Sequence, residues 1–127
     1  MVKTAKGITG ALGEDLACKF LERKGFKLIE RNFRRPWGEI DIIAEKAGEV
    51  RFVEVKTVSS SSEMFSRESF RPEENIHEEK LKKVVRTAQL YMEEKDDKRE
   101  YQIDAVGIIL DPVNRTARCR HFEQILE

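Results

Sequence analysis

The chain has 127 residues, 39% hydrophobic and 38% charged, with Lys plus Arg and Asp plus Glu each numbering 24. This length suits one domain over residues 1–127 with a single site, and the apolar fraction excludes the composition of a disordered chain. Balanced charge excludes attraction of the whole molecule to a polyanion, so an anionic partner must be met by a local basic patch.

The two cysteines, Cys18 and Cys119, lack the spacing of a disulfide framework or zinc site, which points to a reduced compartment. The opening "MVKTAKGITG" has no apolar leader, and no window approaches the ~20 apolar residues of a membrane span. The expectation is a cytoplasmic protein without membrane contact.

In chain order, Leu12, Leu16 and Phe20, with Ala17 and Leu21 alongside, predict a helix over residues 9–24 that ends at Gly25. "FKLIERNF" and "EIDIIAE" read as strands separated by Pro36-Trp37-Gly38. Gly48 lies in a connection short enough for a hairpin, so "VRFVEVKT" should return antiparallel. Residues 58–75, serine-rich and aperiodic, read as a mobile loop bordering a site. A second helix follows, with Leu81, Val84, Val85, Ala88 and Tyr91 or Met92 on one face. "YQIDAVGIIL" reads as a strand buried on both sides, and "DPVN" turns it into the strand "RTARCRHF". The predicted order is α-β-β-β-α-β-β, an α/β fold.

Charges inside the two central strands need an explanation. Alternation puts Glu39, Asp41 and Ile43 on one face of their strand and Ile40 and Ile42 on the other; Phe52, Glu54 and Lys56 oppose Val53 and Val55. One hairpin register brings Asp41, Glu54 and Lys56 together. Two carboxylates ~4 Å apart repel by roughly 4 kcal/mol at an effective dielectric near 20, a large share of a domain's stability. A divalent cation offsets that cost. Hard oxygen ligands suit Mg²⁺ or Mn²⁺, with open positions for water and a phosphate, the layout of metal-assisted phosphodiester hydrolysis. An exposed face of alternating charges, with cross-strand pairs worth at most ~1 kcal/mol, is the alternative reading.

The series "GEDLACKFLERKGFKLIERNFR", "GEIDIIA" and "FVEVKT" resembles the YraN-like family of bacterial proteins from Gly10 to about Ile125. Through it the chain is similar to Holliday-junction resolvases of the restriction-endonuclease-like PD-(D/E)xK superfamily. The resemblance implies a mixed β-sheet flanked by helices and a metal-dependent endonuclease acting on DNA, with branched or junction DNA as a candidate substrate. By analogy it also implies a homodimer. Asp41 matches the superfamily's metal-binding aspartate, and Glu54 and Lys56 match its Glu-x-Lys pair. Glu14 matches the acidic residue that resolvase-like relatives add from the first helix, and the Val55 carbonyl a further metal ligand. By periodicity alone Glu14 lies beside Ala17, Cys18 and Leu21 at the edge of the buried face, or is a solvated helix residue. Where relatives often read Glu-Val-Lys-Thr-Arg, this chain has Val58 after Thr57, so the basic contact of that position is absent.

Lys56, between two carboxylates, is expected to stay charged and to orient the attacking water or stabilise charge on the phosphate. Arg31, Arg34 and Arg35, with Phe33 and Trp37 nearby, combine phosphate contacts with stacking surfaces, and Lys80 joins them as a candidate nucleic-acid contact. Their alternatives are a solvated strand end and a salt-bridged helix face. His77 and His121 read as surface or capping residues, and Asp104 as a buried group that needs partners. A non-cleaving nucleic-acid-binding or protein-interaction module on the same scaffold is the second functional reading, and a phosphatase acting on small phosphoesters the third.

Overall fold

The computed structural model describes residues 7–59 and 78–126. The elements are α1 (Ile8–Arg23), β1 (Lys27–Arg35), β2 (Gly38–Lys46), β3 (Glu49–Ser59), α2 (Glu78–Glu94), β4 (Tyr101–Asp111) and β5 (Thr116–Phe122). This is the predicted order. Val58 and Ser59, expected in the loop, extend β3. Residues 60–75 of that loop, and His77, lie outside the described residues.

The five strands form one mixed sheet in chain order β1-β2-β3-β4-β5. Only β3 and β4 are parallel, because α2 lies in the connection between them; hairpins join the other neighbours. The β2–β3 turn is Ala47-Gly48, with φ of 53° and 82°. Two left-handed residues make the tight turn whose twist matches paired strands. That turn sets the register Ile42↔Val53 and Ile43↔Phe52.

A helix covers each face of the sheet. On one side α1 buries Gly13, Glu14, Ala17, Cys18 and Leu21 against Ile42, Ala44, Val53, Val106 and Ile108. The buried stripe is thus rotated from the predicted one, and Leu12 is 46% exposed. Small residues face the sheet because the helix sits close to it: a Cβ added to Gly13 would overlap the Thr57 side chain and lie 2.8 Å from its Cβ. The helix closes on Gly25 at φ 96°. The Phe26 N–H bonds the Leu21 carbonyl and the Gly25 N–H that of Glu22, each at 3.0 Å. Leu21 and Phe26 share the core below this Schellman cap.

On the other side α2 presents Val84, Ala88, Tyr91 and Met92 to Phe33, Ile40, Ile43, Phe52 and Ile103. Tyr91 meets Phe33 and Phe52 edge to face, with ring centroids 5.1 and 5.5 Å apart. Leu81 and Val85, expected on the buried face, are only half-buried. Ile40 corrects strict alternation. It packs with Ile43 under α2, whereas Ile42 packs under α1, so β2 changes sense at Asp41.

Asp104 on β4 is fully buried and fully satisfied. Its Oδ2 accepts from Arg51 Nη1 at 2.9 Å and pairs with His121 Nε2 at 2.8 Å; its Oδ1 accepts from Gln102 Nε2 at 2.8 Å and from the Gln124 N–H at 2.9 Å. Burial acts to raise its pKa, but these bonds outweigh it and hold the carboxyl below the usual aspartate range. His121 is therefore no surface residue: its side chain is 3% exposed. No helix among the described residues is long and apolar enough to cross a membrane.

Gly13→Ala tests the α1–β3 approach. The helix propensity it gains is about 1 kcal/mol, but the Thr57 Cβ is anchored to the strand, and overpacking of this kind typically costs 1–3 kcal/mol. The expected result is a net loss on the order of 1 kcal/mol in chemical denaturation, reduced in a Thr57→Ala background. An unchanged or raised midpoint would place α1 farther from β3 than described.

Candidate metal centre

The last β2–β3 pair is Ile42↔Val53. Beyond it β2 continues paired to β1 through Ile40, Glu39 and Gly38, while β3 continues paired to β4 from Glu54 to Ser59. The two strands fork, and Asp41 and Glu54 stand at the base of the fork. Main-chain groups freed from the ladder need partners, and the Asp41 carboxylate supplies one. Asp41 Oδ2 accepts the Val55 N–H at 2.8 Å. The predicted convergence of Asp41 and Glu54 therefore occurs, through a break in the ladder instead of across an exposed sheet face.

Both carboxylates are buried, Asp41 at 6% and Glu54 at 2% exposure. The lysine that reaches them is Lys80, from the first turn of α2, with Nζ 3.3 Å from Glu54 Oε1. Glu54 Oε2 is buried with no hydrogen-bond partner among the described residues. Burial first, and the charge of Asp41 second, push the Glu54 carboxyl up to about 8, with Lys80 pulling the other way. Burial also works against the Lys80 ammonium, but Glu54 and Asp41 outweigh it and hold it above its ordinary value.

The fork opens into a cavity of about 410 Å³ lined by Asp41, Val55, Lys56, Thr57, Glu39 and Lys80 on one side and by Gly7, Thr9 and Gly10 on the other. Lys56 thus reaches the same space as Asp41. The opposite wall is the N-terminal end of α1, where Gly7 caps the helix without a side-chain hydrogen bond and the first turn carries no acidic residue. Such an end offers main-chain N–H groups and positive potential to an anion. Nothing in the sequence marks it, because the usual Ser, Thr, Asp or Asn cap is missing.

Glu14 belongs to a different group. It is 1% exposed, and its Oε1 accepts from Arg31 Nη2 and Asn32 Nδ2, each at 2.9 Å, and from Arg31 Nε at 3.2 Å. Arg31 also pairs with Asp15 at 2.8 Å. Asn32 has φ 52°, which turns Arg31 and Asn32 toward α1 together. Among the described residues, no three Asp, Glu, His or Cys side chains converge on one ion position.

A second cavity, of about 780 Å³, adjoins the first through Glu39 and Lys80, which line both; Arg34, Arg35, Trp37 and Lys83 complete much of its wall. Three of the four predicted nucleic-acid contacts, Arg34, Arg35 and Lys80, therefore border one cleft, and Arg31 does not. Arg34 Nε lies 3.3 Å from Glu39. Arg35 sits 4.2 Å over the Phe33 ring and pairs with Glu94 at 2.6 Å.

The model of the "Uncharacterised protein family UPF0102" matches residues 13–108, a span that contains the fork and all of α2. The chain belongs to this family. UPF0102 proteins of Campylobacter jejuni and Persephonella marina are 37% and 39% identical to it, over 84% and 80% of this chain and 88% and 84% of theirs. That of Helicobacter pylori is 42% identical over 76% of this chain and 77% of its own. The resemblance to the YraN-like, UPF0102-type family thus holds along most of the sequence.

Glu54 generates a pH prediction. Its folded value, about 8, lies above the ordinary 4.5, so the unfolded chain binds fewer protons between them. Its contribution is fully present below about pH 4.5 and is lost as pH rises through about 8. Glu54→Gln removes this loss. The variant should match the metal-free wild type near pH 4.5 and exceed its stability near pH 8 by on the order of a few kcal/mol. Denaturation curves of both proteins across that range check it; a difference that does not grow with pH would contradict the strain at Glu54.

Proposed function

We propose that the fork is a divalent-metal site for hydrolysing phosphodiester bonds, with DNA as the substrate class. The observation that carries this reading is the buried Glu54 Oε2, which has no protein partner among the described residues while Asp41 stands beside it. A carboxylate oxygen kept from water and from hydrogen bonds is costly unless a cation completes it. Two carboxylates with the Val55 carbonyl suit Mg²⁺ or Mn²⁺, which use few protein ligands and leave positions for water and phosphate. Such an ion would supply Lewis acidity and lower the pKa of a bound water.

The chain's own residues would do the rest. Asp41 is held in place by its bond to the Val55 N–H and Glu54 by its contact with Lys80. Lys56, lining the same cavity, stabilises charge on the phosphate or orients the attacking water. The uncapped N-terminal turn of α1 faces that cavity and offers N–H groups to a phosphate oxygen. Glu14 enters as the tie that sets β1 against α1 through Arg31 and Asn32.

One observation favours a second reading. Lys80 already places a cation 3.3 Å from Glu54, as it would in a nucleic-acid-binding module that no longer cleaves. Incubating junction, flap, single-stranded and nicked DNA with Mg²⁺ or Mn²⁺ separates the two. The wild type should cleave at least one substrate in a metal-dependent way, and Asp41→Ala should lose about two orders of magnitude or more, since one of two carboxylates is gone. Lys56→Arg should retain more activity than Lys56→Met if its charge is what matters. Binding without metal-dependent cleavage across the panel selects the second reading.

A further inference from the structure

Trp37 occupies a place that packing does not explain. It sits in the two-residue turn between Arg35 and Gly38, which pair directly, and it is 40% exposed on the wall of the larger cavity. The core beneath is filled without it, by Phe33 and Tyr91 in edge contact. A broad aromatic face at the rim of a cleft is a surface awaiting a flat partner.

The charges around it are mixed in sign, four basic and two acidic. Lys80, Lys83 and Glu79 line the cavity from α2, and Glu39 lines it from β2. The pair of Arg34 with Glu39 is about 40% exposed on both sides, so it is weak and can exchange for a phosphate. Arg35 is held by Glu94 and Phe33 and takes no part. A wall that carries two carboxylates is unsuited to the dense paired phosphates of a duplex, whose binding depends on neutralising many charges at once. It suits a ligand gripped by stacking, with one or two phosphates met individually.

We propose that this cavity seats an unpaired nucleotide strand, either single-stranded DNA or the single-stranded arm of a branched substrate. A base stacks on Trp37, its phosphates meet Lys83 and Arg34, and the adjoining phosphate passes Lys80 to the fork. Lys80 and Glu39 line both cavities, so the strand passes at that shared boundary toward Asp41. The proposal rests on the phosphodiester reading of the fork and adds to it which form of nucleic acid is held there.

Trp37 is the only tryptophan in the chain, so it reports on its own occupancy. The full-length protein is titrated, in chelator and without divalent cation, with a short end-labelled oligothymidylate and with a blunt duplex of equal length. Label anisotropy and tryptophan emission are followed together. The single strand should bind and quench the emission. Trp37→Leu should weaken single-strand binding roughly tenfold and leave duplex binding unchanged, while Trp37→Phe keeps most of the affinity. Lys83→Met, which leaves the ring in place, should lower the salt dependence by about one phosphate contact.

Single-strand binding with unchanged emission overturns the proposal, as does a Trp37→Leu variant that weakens both ligands equally or neither. Those outcomes leave metal-dependent cleavage at the fork standing. Failure of both oligonucleotides to bind overturns the proposal together with the choice of DNA as substrate.

Discussion

Everything at the site follows from the parting of β2 and β3. A strand has two edges. Past Ile42 the neighbour of β2 is β1 alone, and past Val53 the neighbour of β3 is β4 alone. The edges they would have shared are left facing each other across a gap, with main-chain groups that need partners and no third strand to supply them. The Asp41 carboxylate answers that need on the β3 side by accepting the Val55 N–H. The N-terminal end of α1 stands across the same gap, and Asp41, which mends the backbone, also lines the opening.

Three buried acids show how context assigns different duties to one kind of group. Asp104 has four partners arranged over both oxygens, and its charge is sheltered by Arg51. Glu14 is clasped by Arg31 and Asn32 and binds a helix to an edge strand. Glu54 has one long contact to Lys80 and an oxygen with no partner among the described residues. Removing a partner from a buried charge is costly, so the first two are construction. The third stands beside Asp41 at the base of the fork, and Asp41 lines the cavity there.

Much of this was legible in the chain. The left-handed turn at Ala47-Gly48 and the two-residue period together define the register that brings Asp41 to Glu54. Where reading failed, a physical cause is visible. Leu12, Leu16 and Phe20 keep helical spacing, but small residues let α1 approach the sheet, so Gly13, Ala17 and Cys18 took the inside. Ile40 changed sides because the fork and the left-handed Asn32 interrupt alternation. Lys80 displaced Lys56 as the lysine paired with Glu54 because α2 arrives from far along the chain, and no local pattern encodes that meeting. His121 looked peripheral because only the fold brings Asp104 to it.

The segment after β5 has a consequence for the order in which the molecule takes shape. Ile125 N–H bonds the Ile103 carbonyl at 2.8 Å, Gln124 N–H reaches Asp104, and Glu123 reaches Arg51, all just beyond the last β4–β5 pair, Ala105↔Phe122. The β2–β3 hairpin is local and closes early, but its fork opens only when β4, some fifty residues downstream of β3, takes one strand away. That pairing in turn is backed by Glu123, Gln124 and Ile125, which follow β5. Closing the hairpin alone therefore does not make the site; the opening between the two carboxylates also needs the long-range pairing of β3 with β4.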